Sequence, residues 1–233
     1  MDACELPDEP DRHSASKSAA ANAALRYIEA GTIIGVGTGS TASAFIAALE
    51  HWKGPRPFAA VASSLDTAHQ LRAAGIEVAP LPPSGRLPLY VDGADEVDPE
   101  LRMLKGNGGA HTREKVLASA ARTFICIADE TKLRPTLVGQ SVPVECVPMA
   151  TAFVTRQIET LGGTGVPRPG FVTDNGNEVL DVHGIDLSDP SEVECRIDCI
   201  AGVVGNGIFA IRRADVVLVG HDDGGVDELG GPP

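Results

Sequence analysis

The sequence predicts an α/β fold: a parallel sheet covered by helices on both faces, with a smaller α+β unit inserted into it. Three observations lead there. From residue 16 to 133, short β-branched runs alternate with helical stretches, the rhythm of a parallel sheet. Between 142 and 209 the order changes to β-α-β-β-α-β, the signature of a ferredoxin-like unit. A last continuously apolar run, "DVVLVG" (215–220), suits a strand buried on both faces and is expected to rejoin the first sheet. The expected division is an acidic, disordered tail at 1–15, one domain made of 16–137 and 213–233, and a second at 138–212.

The elements follow in order. Alanines with Leu25, Tyr27 and Ile28 at near-helical spacing predict a helix over 16–30. "TIIGVG" (32–37) reads as a buried strand ending in glycine. The helix after it carries Phe45, Ile46, Leu49 and Trp52 on one face. "FAAVAS" is a strand, "SLDTAHQLRAAG" a helix, and "IEVAPL" and "LPLYVDG" two strands. A helix at 111–121 and the strand "TFICIAD" (123–129) close the first series. In the second, "VPVECVP" is a strand and 149–161 a helix. "GFVTDNGNEVLDV" reads as two strands joined by a type I′ turn at Asn175-Gly176. "SDPSEVECRIDCI" is a helix capped by Ser188 or Asp189, with Pro190 in its first turn. "GVVGNGIFA" is the last strand of the unit.

Composition narrows the function. The chain has 233 residues, 43% of them hydrophobic, enough for a substantial core. Its 32 acids against 19 bases give a net charge of −13. That argues against nucleic acid or an anionic membrane surface as the main partner, because both need clustered Lys and Arg. A local basic pocket for a small anion remains compatible. No apolar run approaches the roughly 20 residues of a membrane span, and the acidic N-terminus has no apolar core of a signal peptide. Five cysteines, with no CxxC pair, suit reduced thiols in the cytoplasm, three or four of them in the core. Cys195 and Cys199 lack neighbouring ligands for a metal.

Two loops carry the chemistry. Gly35-Val36-Gly37-Thr38-Gly39-Ser40-Thr41 joins a strand to a helix. Its free N–H groups and hydroxyls suit an anion cradle, or else Ser40 or Thr41 simply caps the helix. Ser40 occupies the third glycine of a dinucleotide fingerprint, and no lysine follows as in a Walker A loop. The second feature is "YVDGADE" (90–96), which puts three carboxylates at the end of a strand. "KGNGGAHTREK" (105–115) follows. In open α/β sheets ligands bind beyond the carboxyl ends of strands, so the two loops are placed to meet. Asp92 and Asp95 are either functional or turn-forming. Glu114 is either a general base or a carboxylate at a helix start, where the dipole favours it by about 0.3–1 kcal/mol. Lys105 is suited to steadying negative charge on an oxygen, and His111 is read as structural.

"VGTGSTA", "YVDGADEVDPELRMLKGNGGAHTREK", "FICIADETK", "VPVECVPMA" and "VTDNGNEVLDV", in this order across nearly the whole chain, resemble ribose-5-phosphate isomerase of the A type. The resemblance implies interconversion of D-ribose 5-phosphate and D-ribulose 5-phosphate in the pentose phosphate pathway, without metal or organic cofactor. It implies a Rossmann-like domain plus a smaller α+β domain, and a homodimer. By motif, Glu114 corresponds to the base that moves a proton between C2 and C1. Lys105 would steady the enediolate, and Asp92 and Asp95 would bind hydroxyls and assist ring opening. Thr38, Gly39, Ser40 and Thr41 would hold the substrate, as would Gly93, Ala94, Gly106, Asn107 and Gly108. Lys132 matches a substrate-binding lysine and Lys17 is placed to reach the phosphate. Asn107 stands where the family commonly has glycine, which puts the geometry of 106–108 in question.

Three rival readings make different demands. A non-catalytic sugar-phosphate sensor would need a DNA-binding module and would lose Glu114 or Lys105, yet both are present. A nicotinamide-dependent dehydrogenase would need the glycine that Ser40 replaces. An acyl-transferring enzyme using Glu114 as nucleophile would show ping-pong kinetics with a thioester.

Overall fold

The structure is a computed structural model that describes residues 13–231; Cys4 and residues 1–12 of the tail expected at 1–15 lie outside the described residues. Residues 14 and 15 do not belong to a tail, because α1 runs over Ser14–Ala24 and passes into a 3-10 turn at Leu25–Tyr27. Six strands form the main sheet: β1 (Ile33–Val36), β2 (Ala59–Ala62), β3 (Leu87–Asp92), β6 (Ala121–Asp129), β12 (Val216–Gly220) and β13 (Val226–Gly230). Their spatial order is β13-β12-β6-β3-β1-β2. All pairings are parallel except the edge pair β12–β13. Residues 216–220 pair with 125–129, so the final apolar run does return to the first sheet.

Both faces of this sheet are covered. One core packs α1 and α2 (Ser40–His51) over Ile34, Val36, Leu89, Ile125 and Leu218. The other packs Leu117 and Ala118 of α4 (His111–Ala120) against Tyr90, Phe124 and Val217. The period-2 geometry of a strand sends neighbouring residues to opposite cores, which is why these strands read as continuously apolar. α3 (Leu65–Ala73) starts with Ser64 accepting from Thr67 N at 3.0 Å.

A second sheet contains β7 (Val142–Cys146), β8 (Thr164–Pro167), β9 (Glu178–His183) and β10 (Val203–Asn206) in the antiparallel order β10-β7-β9-β8. α5 (Thr151–Thr160) and α6 (Pro190–Asp198) complete the ferredoxin-like order, with Asp189 capping α6 through Glu192 N. Its core gathers Val144, Val154, Ile158, Leu180 and Ile197.

Four local expectations are corrected. "IEVAPL" forms only one bridge, Ala60 to Val78, rather than a strand. The first strand of the expected hairpin lies at 164–167, not in "GFVTD": Pro167 and Pro169 lack the N–H groups a ladder requires. The 173–177 turn is not type I′, because Gly176 takes φ +81° while Asn175 stays out of the left-handed region. "GVVGNGIFA" is interrupted at Gly207. Its end, β11 (Ile208–Phe209), leaves for a three-stranded sheet with β4 (Glu96–Val97) and β5 (Met103–Leu104), order β11-β5-β4. Among the described cysteines only Cys126 and Cys146 are buried; Cys195 and Cys199 are exposed free thiols.

Candidate active site

β1 is followed in sequence by β2 on one side of it, while β3 lies on its other side. The connections leaving β1 and β3 therefore diverge, opening a crevice at their carboxyl ends. Gly37 N donates to Val91 O at 2.9 Å and closes the two loops together. A Cβ on Gly37 would stand 1.8 Å from Asp92 Oδ1, so only glycine lets the backbone approach that carboxylate. Gly39, with φ +105°, stands at the start of α2, and no side chain caps this helix. Neither Ser40 nor Thr41 is spent on capping. Thr38 Oγ1 is fixed by Ser63 Oγ at 2.6 Å and Thr67 Oγ1 at 3.1 Å, and Lys17 Nζ donates to Ser40 Oγ at 3.0 Å.

Asp92 is completely buried and is not among the residues that line the crevice, whereas Lys105, its ion-pair partner, is. Its Oδ1 accepts from Gly93 N at 2.7 Å and Thr38 N at 3.2 Å, and its Oδ2 accepts from the Tyr90 hydroxyl. Asp92 thus meets the crevice through its contact with Lys105. Lys105 follows β5 directly and is anchored by its N–H to Gly207 O at 2.9 Å. Its ammonium lies 2.8 Å from Asp92 Oδ2 and 3.1 Å from Glu114 Oε2, donates to Gly93 O, and faces the Phe209 ring at 5.6 Å. Burial works against its charge, but Asp92 and Glu114 outweigh that and raise its pKa.

Glu114 sits in the first turn of α4 and lines the crevice although only 4% of it is exposed. Burial, then the neighbouring Asp92 charge, pushes its carboxyl up to about 8, with Lys105 opposing the rise. Oε2 lies within ion-pair reach of Lys105, yet no donor is aligned on it. A carboxylate so placed is poised to take and return a proton near neutral pH. His111 opens the same helix fully buried, and burial lowers its pKa to about 4, so it is neutral at pH 7 and serves packing.

The cavity measures about 170 Å³. Besides Lys105 and Glu114 it is lined by Thr38, Gly39, Ser40, Thr41, Gly93, Ala94, Asp95, Gly106, Asn107, Gly108 and Lys132. The structure therefore brings the sequence-predicted residues together, with Asp92 below the lining and Lys17 reaching the rim through Ser40. Asn107 N donates to Asp95 Oδ2 at 3.2 Å. Asn107 does not adopt a positive φ, so replacement of a family glycine costs the loop nothing in backbone strain.

Two residues escaped the sequence reading. Tyr90 precedes Asp92 by two positions on β3, and the strand period alone would have put it on the same face. Burial, then Asp92, holds its hydroxyl well above its ordinary pKa, keeping it a donor. Arg168, from the second sheet, donates to Asn107 O at 3.0 Å; no local pattern signals that contact.

Comparison with known proteins gives a consistent picture. Residues 59–224 match the model of the family described as ribose 5-phosphate isomerase A, or phosphoriboisomerase A. A ribose-5-phosphate isomerase A of Acidithiobacillus ferrooxidans is 53% identical over 213 residues, covering 91% of this chain and 97% of that protein. The crystal structure of ribose 5-phosphate isomerase A from Neisseria gonorrhoeae is similar with a TM-score of 0.90 at 39% identity, covering 97% of this chain and 100% of that one. A D-ribose-5-phosphate isomerase solved in complex with phospho-erythronic acid has a TM-score of 0.86 at 36% identity, covering 92% and 97% of the two chains.

Proposed function

The chain belongs to the ribose 5-phosphate isomerase A family and interconverts D-ribose 5-phosphate and D-ribulose 5-phosphate, and we propose that Glu114 and Lys105 carry the chemistry. In the aldose-to-ketose direction, the Glu114 carboxylate takes the proton from C2 of the open-chain sugar. The electron pair shifts through C1 to O1 and leaves an enediolate. Lys105, held cationic and in place by Asp92, stabilises the charge on that oxygen. Glu114 then returns the proton to C1, while the proton of the O2 hydroxyl passes to O1, with Asp95 at the mouth of the loop assisting. C2 and O2 become the ketone. All these steps use side chains of the protein, without metal or organic cofactor.

The observation that carries the reading is the placement of Glu114: a buried carboxyl, lifted to about 8, with one oxygen lacking an aligned donor, beside a buried ammonium. The phosphate is assigned to the start of α2 at Ser40 and Thr41, with Lys17 and Lys132 at the rim. N–H groups at a helix start favour an anion, and binding energy spent on a remote group positions the reacting carbons. The cellular setting that fits is the non-oxidative pentose phosphate pathway in the cytoplasm, with the chain as a homodimer. No described helix is long and apolar enough to cross a membrane, and the net charge of −13 disfavours nucleic acid.

The test is the isomerisation of ribose 5-phosphate in EDTA by wild type and Glu114→Gln over a range of pH. Turnover should fall about 10²–10⁴-fold in the variant. Wild-type kcat/KM should rise with pH, reach half its maximum near 8 and level off above it, since the free enzyme's base must be ionised. A variant with wild-type turnover would exclude Glu114 as the base.

A further inference from the structure

The motif "VTDNGNEVLDV" and the segment before it contribute nothing to the cavity lining, yet they lie against the loop that does. Arg168 follows β8 and is held by a bidentate pair to Asp181 on β9, Nη2 to Oδ1 at 2.6 Å and Nε to Oδ2 at 2.9 Å. Its guanidinium lies over the Phe171 ring at 5.1 Å. These contacts fix the plane of the fork, so the remaining donor, Nη1, is aimed before it meets its partner. That partner is Asn107 O at 3.0 Å, in the loop between Lys105 and Glu114. The N–H of the same residue donates to Asp95 Oδ2 at 3.2 Å. Both peptide planes flanking Asn107 are therefore held, one by Arg168 and one through Asp95. Phe171 closes the other side, packed so near Gly109 that a Cβ there would meet its ring at 2.3 Å.

We propose that Arg168 is a positioning residue for the isomerase reaction: through the Asn107 peptide it sets the place of the 106–109 loop and of Asp95. This rests on the assignment of Asp95 to the substrate site. The loop contains Gly106, Gly108 and Gly109, and a glycine-rich segment takes up many conformations unless external contacts select one. Arg168 supplies that selection from the second sheet, across the boundary between the two sheets. It acts through backbone atoms, so it works equally well with asparagine or glycine at position 107. A misplacement of about 1 Å costs up to about 100-fold in rate, which sets the expected scale.

The experiment is a double-mutant cycle on kcat/KM for ribose 5-phosphate using Arg168→Met, Asp95→Asn and both together, with Arg168→Lys and thermal melting in parallel. Arg168→Met alone should lose roughly 10–100-fold in kcat/KM. In the Asp95→Asn background the same change should cost much less, because the residue it acts through is already disabled. Arg168→Lys, which still offers a cationic donor to Asn107 O, should recover part of the loss. Equal fold losses in both backgrounds would overturn the proposal and leave Arg168 a purely structural ion pair. So would an unchanged kcat/KM in Arg168→Met. If Asp95→Asn alone left activity intact, the assignment of Asp95 would fail, and with it the route proposed for Arg168. Where Arg168→Met melts below the assay temperature, Arg168→Lys takes its place in the cycle, and additivity would again overturn the proposal.

Discussion

Replacing Lys105 with methionine keeps the side chain close to its native length and deletes a charge that two buried carboxylates share. At an effective dielectric constant of about 20, the ion pair with Asp92 at 2.8 Å has roughly 6 kcal/mol of Coulomb attraction, while the 3.1 Å contact with Glu114 becomes an ion pair only once Glu114 ionises above about pH 8. Desolvation of the ammonium offsets much of this, and removing one member of a buried pair typically costs about 3–5 kcal/mol. That is the expected deficit at neutral pH, where Glu114 holds its proton and Asp92 loses its cation. The pH dependence is sharper than the magnitude. Glu114 titrates near 8 in the folded protein, above the ordinary 4.5, and Lys105 works to lower that value. Without Lys105 the folded pKa climbs further. Wild-type stability falls with pH between 4.5 and 8 and then levels, as far as this group is concerned. The variant keeps falling above 8, by about 1.4 kcal/mol per pH unit, until its own Glu114 ionises. Urea denaturation at pH 7 and 9.5 reads both quantities from the midpoint, provided the m-value is unchanged. A deficit under about 1 kcal/mol, or one that shrinks above pH 8, would refute the description of 92, 105 and 114 as one charge cluster.

Two further predictions concern residues around this cluster. Gly37→Ala should destabilise the protein by about 1–3 kcal/mol, the usual range for overpacking, and lower kcat/KM, because its Cβ displaces Asp92; an unchanged melting curve and rate would show that the loop has slack. His111 is held neutral down to about pH 4, against an ordinary 6.5. The unfolded chain therefore binds a proton that the native one refuses, and wild type should lose up to about 3 kcal/mol from this group as pH falls from 6.5 to 4. His111→Asn should lack that component, so the stability gap between the two proteins should narrow on acidification; a constant gap would mean that the imidazole is solvated.

Much of this architecture was legible from periodicity. The parallel strands of the main sheet are short and apolar because both faces are covered, and the reading of 215–220 as a returning parallel strand follows from that composition alone; the edge strand β13, VDELG and mostly exposed, carries no such signal. Asp92, Asp95, Lys105 and Glu114 were legible because strand ends and helix starts are where a parallel sheet exposes its loops. What escaped was set by tertiary contacts. The β4, β5 and β11 pieces are two residues each, too short for any period. The segment 171–177 alternates like a strand, but Pro167 and Pro169 break the ladder before it. There Glu145, completely buried, collects Asn177 Nδ2 at 2.7 Å, Thr173 Oγ1 at 2.9 Å and Asn175 Nδ2 at 3.0 Å, and these side chains fold the loop around themselves. Burial alone would push that carboxyl up; the donors outweigh it and hold it below the ordinary range. Asp92 behaved alike: its residue type announced chemistry, but only the packing revealed its burial against Lys105, which lines the crevice where Asp92 does not.

The pairing of β6 with β12 has a consequence for how the molecule comes into being. β6 is nearly all buried and meets β3 on one side, a partner made shortly before it. Its other side waits for β12, and the whole of the four-stranded sheet is synthesised in between. Until Val216–Gly220 arrives, a long apolar edge with open N–H and C=O groups is presented to whatever else is nearby, the kind of template on which strands of other chains assemble. Closing so long a loop is also entropically slow. The two closing strands thus act as the seal on the rest of the sheet, and a chain stopped before β12 would carry every lining residue of the cavity on a sheet left open along the edge of β6.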